Sequence, residues 1–341
     1  MTIARPDAEA DAAPRSGPAR ASGRDVVLRA EDVRKTFRLG FFRKRVDAVR
    51  GISFTVERGE IFGFLGPNGA GKTTTLKMLM GLIFPTSGRV EALGRAVPDR
   101  AAKRRIGYLP ETPYFYEYLT PEEFLDFAGA LCDVPASARR RRADLLLGRV
   151  GLDHARGRPL RKFSKGMLQR IGIAQALMGD PDVVVLDEPM TGLDPLGRKD
   201  VRDLILELGR EGKTVLYSTH ILPDVEMTCD RVAIVVGGRL RSVGRLAALL
   251  SARVLSTEIV LRLPSRPGQP PGEGGGIPAL PDGARLLPGQ GDLALELPAG
   301  ADVDAFLRAA QAGGAAIVSV TPRRESLEDL FVREAQEKRE S

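Results

Sequence analysis

Cysteine, histidine and tryptophan are scarce in this chain of 341 residues, which holds two, two and none of them. Cys132 and Cys229 lie 97 positions apart, too sparse for a disulfide framework or a four-thiolate metal site, and the simplest reading is a reducing cytoplasm. Two histidines exclude a multi-histidine metal centre. No apolar run approaches the roughly 20 residues that span a bilayer. The first 24 residues, rich in Ala, Arg, Asp and Pro, contain no hydrophobic signal-peptide core. The expectation is a protein that neither spans a membrane nor is secreted. The remainder is ordinary globular material, 43% apolar and 28% charged, long enough for one large domain with an appendage or for two medium ones. Fifty-one basic against 44 acidic residues leave +7. That balance suits anionic lipid, nucleic acid or nucleotide without choosing among them.

Residues 1–24 read as a disordered leader, because Pro6, Pro14, Gly17, Pro18 and Gly23 sit among small and charged residues without periodicity. Short strands begin at Val26–Arg29 and continue at Ile52–Val56 and Glu60–Leu65, the last running into a glycine-rich loop. A helix follows, with Leu76, Leu79, Met80 and Ile83 on one face. Residues 101–180 read as helix-rich, with Thr120-Pro121-Glu122-Glu123 as a cap and first turn and Arg139–Leu147 as a basic amphipathic stretch. Val183–Leu186 and Thr214–Tyr217, separated by a helix near 197–210, alternate as a parallel sheet requires. Arg231–Arg241 reads as a hairpin turning at Gly237-Gly238. Leu263–Gly283 is a Pro/Gly linker before a βαβα-like tail of about 55 residues.

Two motifs carry chemistry. Gly66-Pro67-Asn68-Gly69-Ala70-Gly71-Lys72-Thr73 matches G-x-x-x-x-G-K-[ST] between an apolar strand and an amphipathic helix. Its backbone N–H groups and the helix N-terminus can wrap phosphates, Lys72 can reach the β/γ-phosphates, and Thr73 can offer its hydroxyl to Mg²⁺. Val183-Val184-Val185-Leu186-Asp187-Glu188 is an apolar strand ending in two carboxylates. Behind a phosphate loop this pattern puts Asp187 beside the metal and makes Glu188 the base candidate for an attacking water.

Phe163-Ser164-Lys165-Gly166-Met167-Leu168-Gln169-Arg170, with Ser164 23 positions before Asp187, resembles the signature motif of the ABC-type ATPases. Gly192-Leu193-Asp194-Pro195 and His220, 33 positions beyond Asp187, are similar to that family's next loop and its switch histidine. The resemblance covers about residues 26–245. It implies an α/β P-loop ATPase domain over residues 25–250, with an antiparallel β subdomain and a helical insert at about 112–180. A strand and linker over 251–285 and a small C-terminal α+β region over 286–341 would follow. It also implies ATP and Mg²⁺ as cofactors, with Thr74 beside Thr73 at the phosphates and with Thr73, Asp187 and Glu111 at the metal. Ser164 and Gly166 would face the γ-phosphate held by a second copy, Asp194, in the loop after the acidic strand, would belong to the nucleotide-binding set, and His220 would contact the γ-phosphate and the attacking water. Phe37 corresponds to the aromatic that stacks on adenine, with Phe41 and Phe42 as alternatives. The partners implied are a second copy in a homodimer and an integral membrane permease, placing the chain at the cytoplasmic, inner face of the cell membrane.

Read without the family, Ser164 is a good helix N-cap, backed by Met167, Ile171, Ala174 and Met178 as a buried stripe. Two departures from the family pattern stand out. Glu111 replaces the usual glutamine, losing amide donors while keeping acceptors. Lys165 and Met167 replace a glycine and a glutamine, as in ATPases of small exporters with separate permease chains, and Lys165 points either to phosphate or to solvent. The basic cluster Arg34, Lys35, Arg38, Arg43, Lys44, Arg45, Arg50 and the run Arg139–Arg142 read as solvated faces or as attraction to anionic lipid. A non-transport ABC ATPase acting on nucleic acid or the ribosome is the rival reading. The chain lacks the tandem nucleotide domains or long coiled coils of such relatives, so no nucleic acid is expected. Tyr114, Phe115, Tyr116 and Tyr118 form either insert core or a docking surface for a permease helix.

Overall fold

Residues 61–65 (IFGFL), 183–187 (VVVLD) and 214–219 (TVLYST) are buried from end to end, and strands that expose neither face belong inside a parallel sheet. The computed structural model, which describes residues 25–39, 44–249, 254–263, 279–287 and 292–324, has them there. In chain order the elements are β1 (Val26–Leu39), β2 (Lys44–Glu57), β3 (Ile61–Leu65), α1 (Lys72–Leu79), β4 (Ser87–Ala92), β5 (Arg95–Ala96), α2 (Arg100–Lys103) and β6 (Ile106–Leu109). There follow α3 (Pro121–Leu131), α4 (Ala136–Arg149), α5 (Lys165–Leu177), β7 (Val183–Asp187), α6 (Pro195–Arg210), β8 (Thr214–Thr219) and α7 (Leu222–Thr228). The chain continues through β9 (Arg231–Val236), β10 (Arg239–Arg245), α8 (Leu246–Leu249), β11 (Val254–Arg262), β12 (Arg285–Leu287), β13 (Leu293–Pro298), α9 (Val303–Ala312) and β14 (Ala316–Arg324).

Three sheets result, ordered β2-β1-β4-β5, β10-β9-β3-β8-β7-β6 and β12-β13-β11-β14. In the second, β9, β3, β8, β7 and β6 are parallel, and β10 returns antiparallel to β9. Alternate side chains of a strand face opposite sides, and the core divides accordingly. Val183, Val185 and Leu216 pack with Phe62 and Phe64 toward the first sheet and α1, whereas Val184, Leu186, Val215 and Tyr217 pack toward α5, α6 and the helical insert.

Helix starts follow their caps. Thr120 and Glu123 form a reciprocal capping box with Pro121 opening α3, Ser164 caps α5, and Asp194 with Pro195 opens α6. α1 differs: it opens on Gly71 at φ +99° with no side-chain cap, which leaves its first N–H groups unclaimed by a cap.

The structure corrects several sequence expectations. The stretch 101–180 is helix-rich as expected, but within it Ile106–Leu109 is β6, the edge strand of the parallel sheet, which the sequence reading did not separate out. β4 and β5 had no counterpart in the sequence reading, and β1 and β2 are each 14 residues, far longer than their apolar kernels, because they pair with each other beyond the core. The tail does not begin after the linker. β11, on the near side, pairs with both β13 and β14 and lies inside the third sheet, its Ile259 and Leu261 packing with Leu295, Leu297 and Phe306 of α9. The leader 1–24, Phe41, Phe42, most of the linker and the last helix of the tail reading lie outside the described residues.

Candidate functional site

The loop after β3 owes its shape to glycine at two positions. A Cβ on Gly66 would sit 2.3 Å from the Val235 carbonyl oxygen, and one on Gly71 would sit 2.5 Å from that of Ala48. Only a bare Cα lets this loop pass between β9 and β2. Gly66 and Ala70 are buried, while Pro67, Asn68 and Gly69 form an exposed crest; Lys72 is buried at the start of α1, with Thr73 and Thr74 half-buried beside it.

Lys72 Nζ donates to the carbonyls of Gly66 at 2.7 Å and Pro67 at 3.2 Å and lies 3.1 Å from Glu188 Oε1, both side chains being 6% exposed. The other oxygen of Glu188 accepts from Thr191 Oγ1 at 2.7 Å and meets His220 Nδ1 at 2.9 Å. Lys72, Glu188 and His220 therefore form one connected group, although they come from α1, the end of β7 and the end of β8. Glu188 holds the left-handed conformation, φ +51°, a strained choice for a glutamate and one found at functional sites. Its N–H donates to Ser218 Oγ at 2.9 Å, and that hydroxyl donates to Asp187 Oδ1 at 2.5 Å.

Asp187 is fully buried, and its Oδ2 has no hydrogen-bond partner. Burial holds its carboxyl above the ordinary aspartate range; the hydroxyls of Ser218 and Thr73 oppose this, and the charges of Glu111 and Glu188 add to it. Glu111 Oε2 accepts a long hydrogen bond, 3.5 Å, from Thr73 Oγ1. An orphaned carboxylate oxygen, a threonine hydroxyl and a second carboxylate are hard oxygen donors of the kind Mg²⁺ takes. Among the described residues no group of three or more His, Cys, Asp or Glu could hold a metal alone. A cation there would need oxygens from a ligand as well.

Ser164 and Gly166 stand apart from this group. Ser164 Oγ accepts from Met167 N at 3.3 Å, and a Cβ on Gly166 would find Leu193 at 3.6 Å. Among the described residues no hydrogen bond or ion pair joins 164–166 to Lys72, Glu188 or His220. Lys165 is exposed, on the solvent side of the choice between phosphate and solvent, with its ammonium beside Gly192. Of the stripe behind the cap, Ile171, Ala174 and Met178 are buried and Met167 packs at its margin. Asp194 caps α6 by accepting from Gly197 N at 3.1 Å. Phe37 is half-buried with Lys35 Nζ 5.2 Å from its ring centre, and it pairs with Val46, two residues from the Ala48 that lies against Gly71.

The aromatic run divides. Phe115 packs into the insert against Phe124 at 5.4 Å, while Tyr114, Tyr116 and Tyr118 are exposed, Tyr114 at 96%. Beside them runs a groove of about 750 Å³ lined by Glu111, Phe115, Lys165, Gln169 and Thr191, and Gln169 Nε2 is buried without a partner. In the basic run, Arg139 pairs with Asp126 and Arg142 with Asp180. Sequence reasoning assigned no role to Ser218 and missed Thr191; the signal for Thr191, a hydroxyl three residues after the base candidate, is visible only beside the turn that follows Glu188.

The ABC transporter family profile matches residues 49–191. An uncharacterized ABC transporter ATP-binding protein of Synechocystis sp. is 44% identical over 315 residues, 92% of this chain and 85% of that protein. The Nod factor export ATP-binding protein I of Ralstonia nicotianae is 36% identical over 68% of this chain and 71% of its own. Among solved structures, a dimeric bacterial ABC transporter cassette superposes with a TM-score of 0.60 at 25% identity, covering 64% of this chain and 98% of that one. With the phosphate loop, the strand-end carboxylates and the signature helix each in its place, the chain belongs to the ABC transporter ATP-binding proteins and is the ATPase subunit of such a transporter.

Proposed function

We propose that two copies of the chain close over two ATP molecules and that the hydrolysis drives a separate membrane permease in the export direction. The observation that carries the reading is the separation of two half-sites within one chain. Lys72, Glu188 and His220 form one buried group, and the Ser164 helix start presents its N–H groups elsewhere. A helix N-terminus favours anions, and a second copy can bring it to the γ-phosphate.

In this reading the N–H groups between Asn68 and Thr74 that no carbonyl of the loop claims hold the phosphates, and Lys72 exchanges Glu188 for phosphate oxygens. Phe37 stacks on the adenine. Asp194 orders the turn at the interface. Thr73 and Asp187, with Glu111 nearby, would hold Mg²⁺, which when bound neutralises phosphate charge. Released from Lys72, Glu188 can accept a proton from the attacking water, while His220 keeps its hold on the same carboxylate and orients it.

Export is supported by the Nod factor export relative. Among the described residues no helix is long and apolar enough to cross a membrane; a separate permease supplies the path in this reading, and the groove beside Tyr114 suits a permease segment at the inner face of the membrane. Glu188→Gln tests the chemistry: ATP binding should persist while phosphate release falls by about 10² to 10⁴. Near-normal turnover would remove Glu188 as the base.

A further inference from the structure

Asp224, in the first turn of α7, is a carboxylate with no solvent exposure, and the hydrolytic group above does not use it. A carboxylate taken out of water must be paired. Its partners are Arg198 Nη2 at 2.9 Å and Arg202 Nη1 at 3.5 Å, one turn apart on α6. Its backbone carbonyl accepts from Tyr217 Oη at 3.1 Å and Thr228 Oγ1 at 2.7 Å. Asp224 thus ties α7 to α6 through its side chain and to β8 through its carbonyl.

His220 stands in the two-residue link between β8 and α7, so the two ends of that link decide where its ring lies. One end is fixed by the Gly66 N–H, which donates to the Thr219 carbonyl at 3.2 Å. Asp224 fixes the other, one helical turn beyond the histidine. The clamp also reaches the interface turn, because the Arg198 N–H donates to the carbonyl of Asp194 at 2.9 Å. A side chain whose ring must meet Glu188 at 2.9 Å tolerates little drift of the helix that follows it.

We propose that Asp224 is a positioning residue for ATP hydrolysis: clamped to Arg198 and Arg202, it holds α7 so that His220 stays against Glu188. This rests on the roles given above to His220 and Glu188.

The test is a cycle in the full-length chain, with kcat for ATP and the Kd of a fluorescent ATP analogue measured for Asp224→Asn, His220→Ala and the double variant. Asp224→Asn should lower kcat about tenfold and leave Kd within about twofold, which also reports that it has folded. His220→Ala should lower kcat about 100-fold. The double variant should be no slower than His220→Ala within about twofold, because no imidazole remains to be positioned. A merely structural Asp224 would instead multiply the two losses, and that outcome, or an unchanged kcat in Asp224→Asn, overturns the proposal alone. An unchanged kcat in His220→Ala overturns the reading of His220 and this proposal with it. If Asp224→Asn does not fold, Arg198→Gln, at the partly exposed end of the clamp, carries the same cycle with the same expected and overturning outcomes.

Discussion

Between residues 25 and 249 the protein buries Glu60, Lys72, Gln169, Asp187, Glu188 and Asp224, whereas between 254 and 324 the buried polar side chains are Ser256 and Thr257 among the described residues. The C-terminal sheet closes on Ile259, Leu261, Leu295, Leu297, Phe306 and Ala310, and its Arg262–Asp292 pair lies toward the surface. Burying charge costs stability unless geometry repays it. The cassette accepts that cost where ATP chemistry needs fixed charges in a dry site; among the described residues the tail packs on apolar contacts and buries no charged side chain.

Three variants sharpen that contrast. Lys72→Ala removes a charge that meets phosphate already in the ground state, so ATP affinity should fall about 10- to 100-fold, as loss of a charge-assisted hydrogen bond implies, while hydrogen-exchange protection in β11 and β13 stays unchanged. ATP affinity at the parental value would remove Lys72 from the phosphate site. Leu295→Ala reverses the pattern. It should cost the tail about 2–5 kcal/mol, seen as lost protection over 254–324, with turnover held within about twofold; turnover falling in step with tail protection would show that the two regions act as one.

Asp187→Asn gives the smallest shift and the least obvious sign. Burial raises the Asp187 carboxyl above its ordinary value. Below that ordinary value both folded and unfolded chains are protonated and nothing is lost. As pH rises through it the unfolded chain ionises first, and the folded state bears a cost that is complete above the raised value. The variant should therefore unfold a few degrees higher than the parent at neutral pH in chelator without nucleotide, at roughly 2–4 °C per kcal/mol, and lose its stabilisation by Mg²⁺ with ATP. A lower unfolding temperature under those conditions would contradict the electrostatic account.

Continuous apolar runs such as residues 183–186 announced the parallel sheet, because strands covered on both faces need no alternation. β6 was illegible: four residues, Ile106–Leu109, directly preceded by charged residues carry too little pattern, and only pairing with β7 makes them a strand. The site divides in the same way. Lys72, Asp187, Glu188 and His220 belong to spaced motifs, whereas Ser218 reaches Asp187 because the two residues are in register on β8 and β7. Asp224 likewise has no meaning without Arg198 and Arg202 across a helix interface. What a residue meets across a sheet or between helices leaves no trace in local spacing.

The central claim, that Lys72 of one chain and Ser164 of another share one site, is tested most directly by nucleotide occlusion in isolated heterodimers of tagged chains. Lys72→Ala in one chain and Ser164→Arg in the other puts both lesions in one composite site and leaves the other intact, so occluded ATP should reappear from two inactive parents. A chain carrying both lesions, paired with the parent chain, should have one lesion in each site and occlude nothing. Occlusion in the second pairing and none in the first would contradict the shared site.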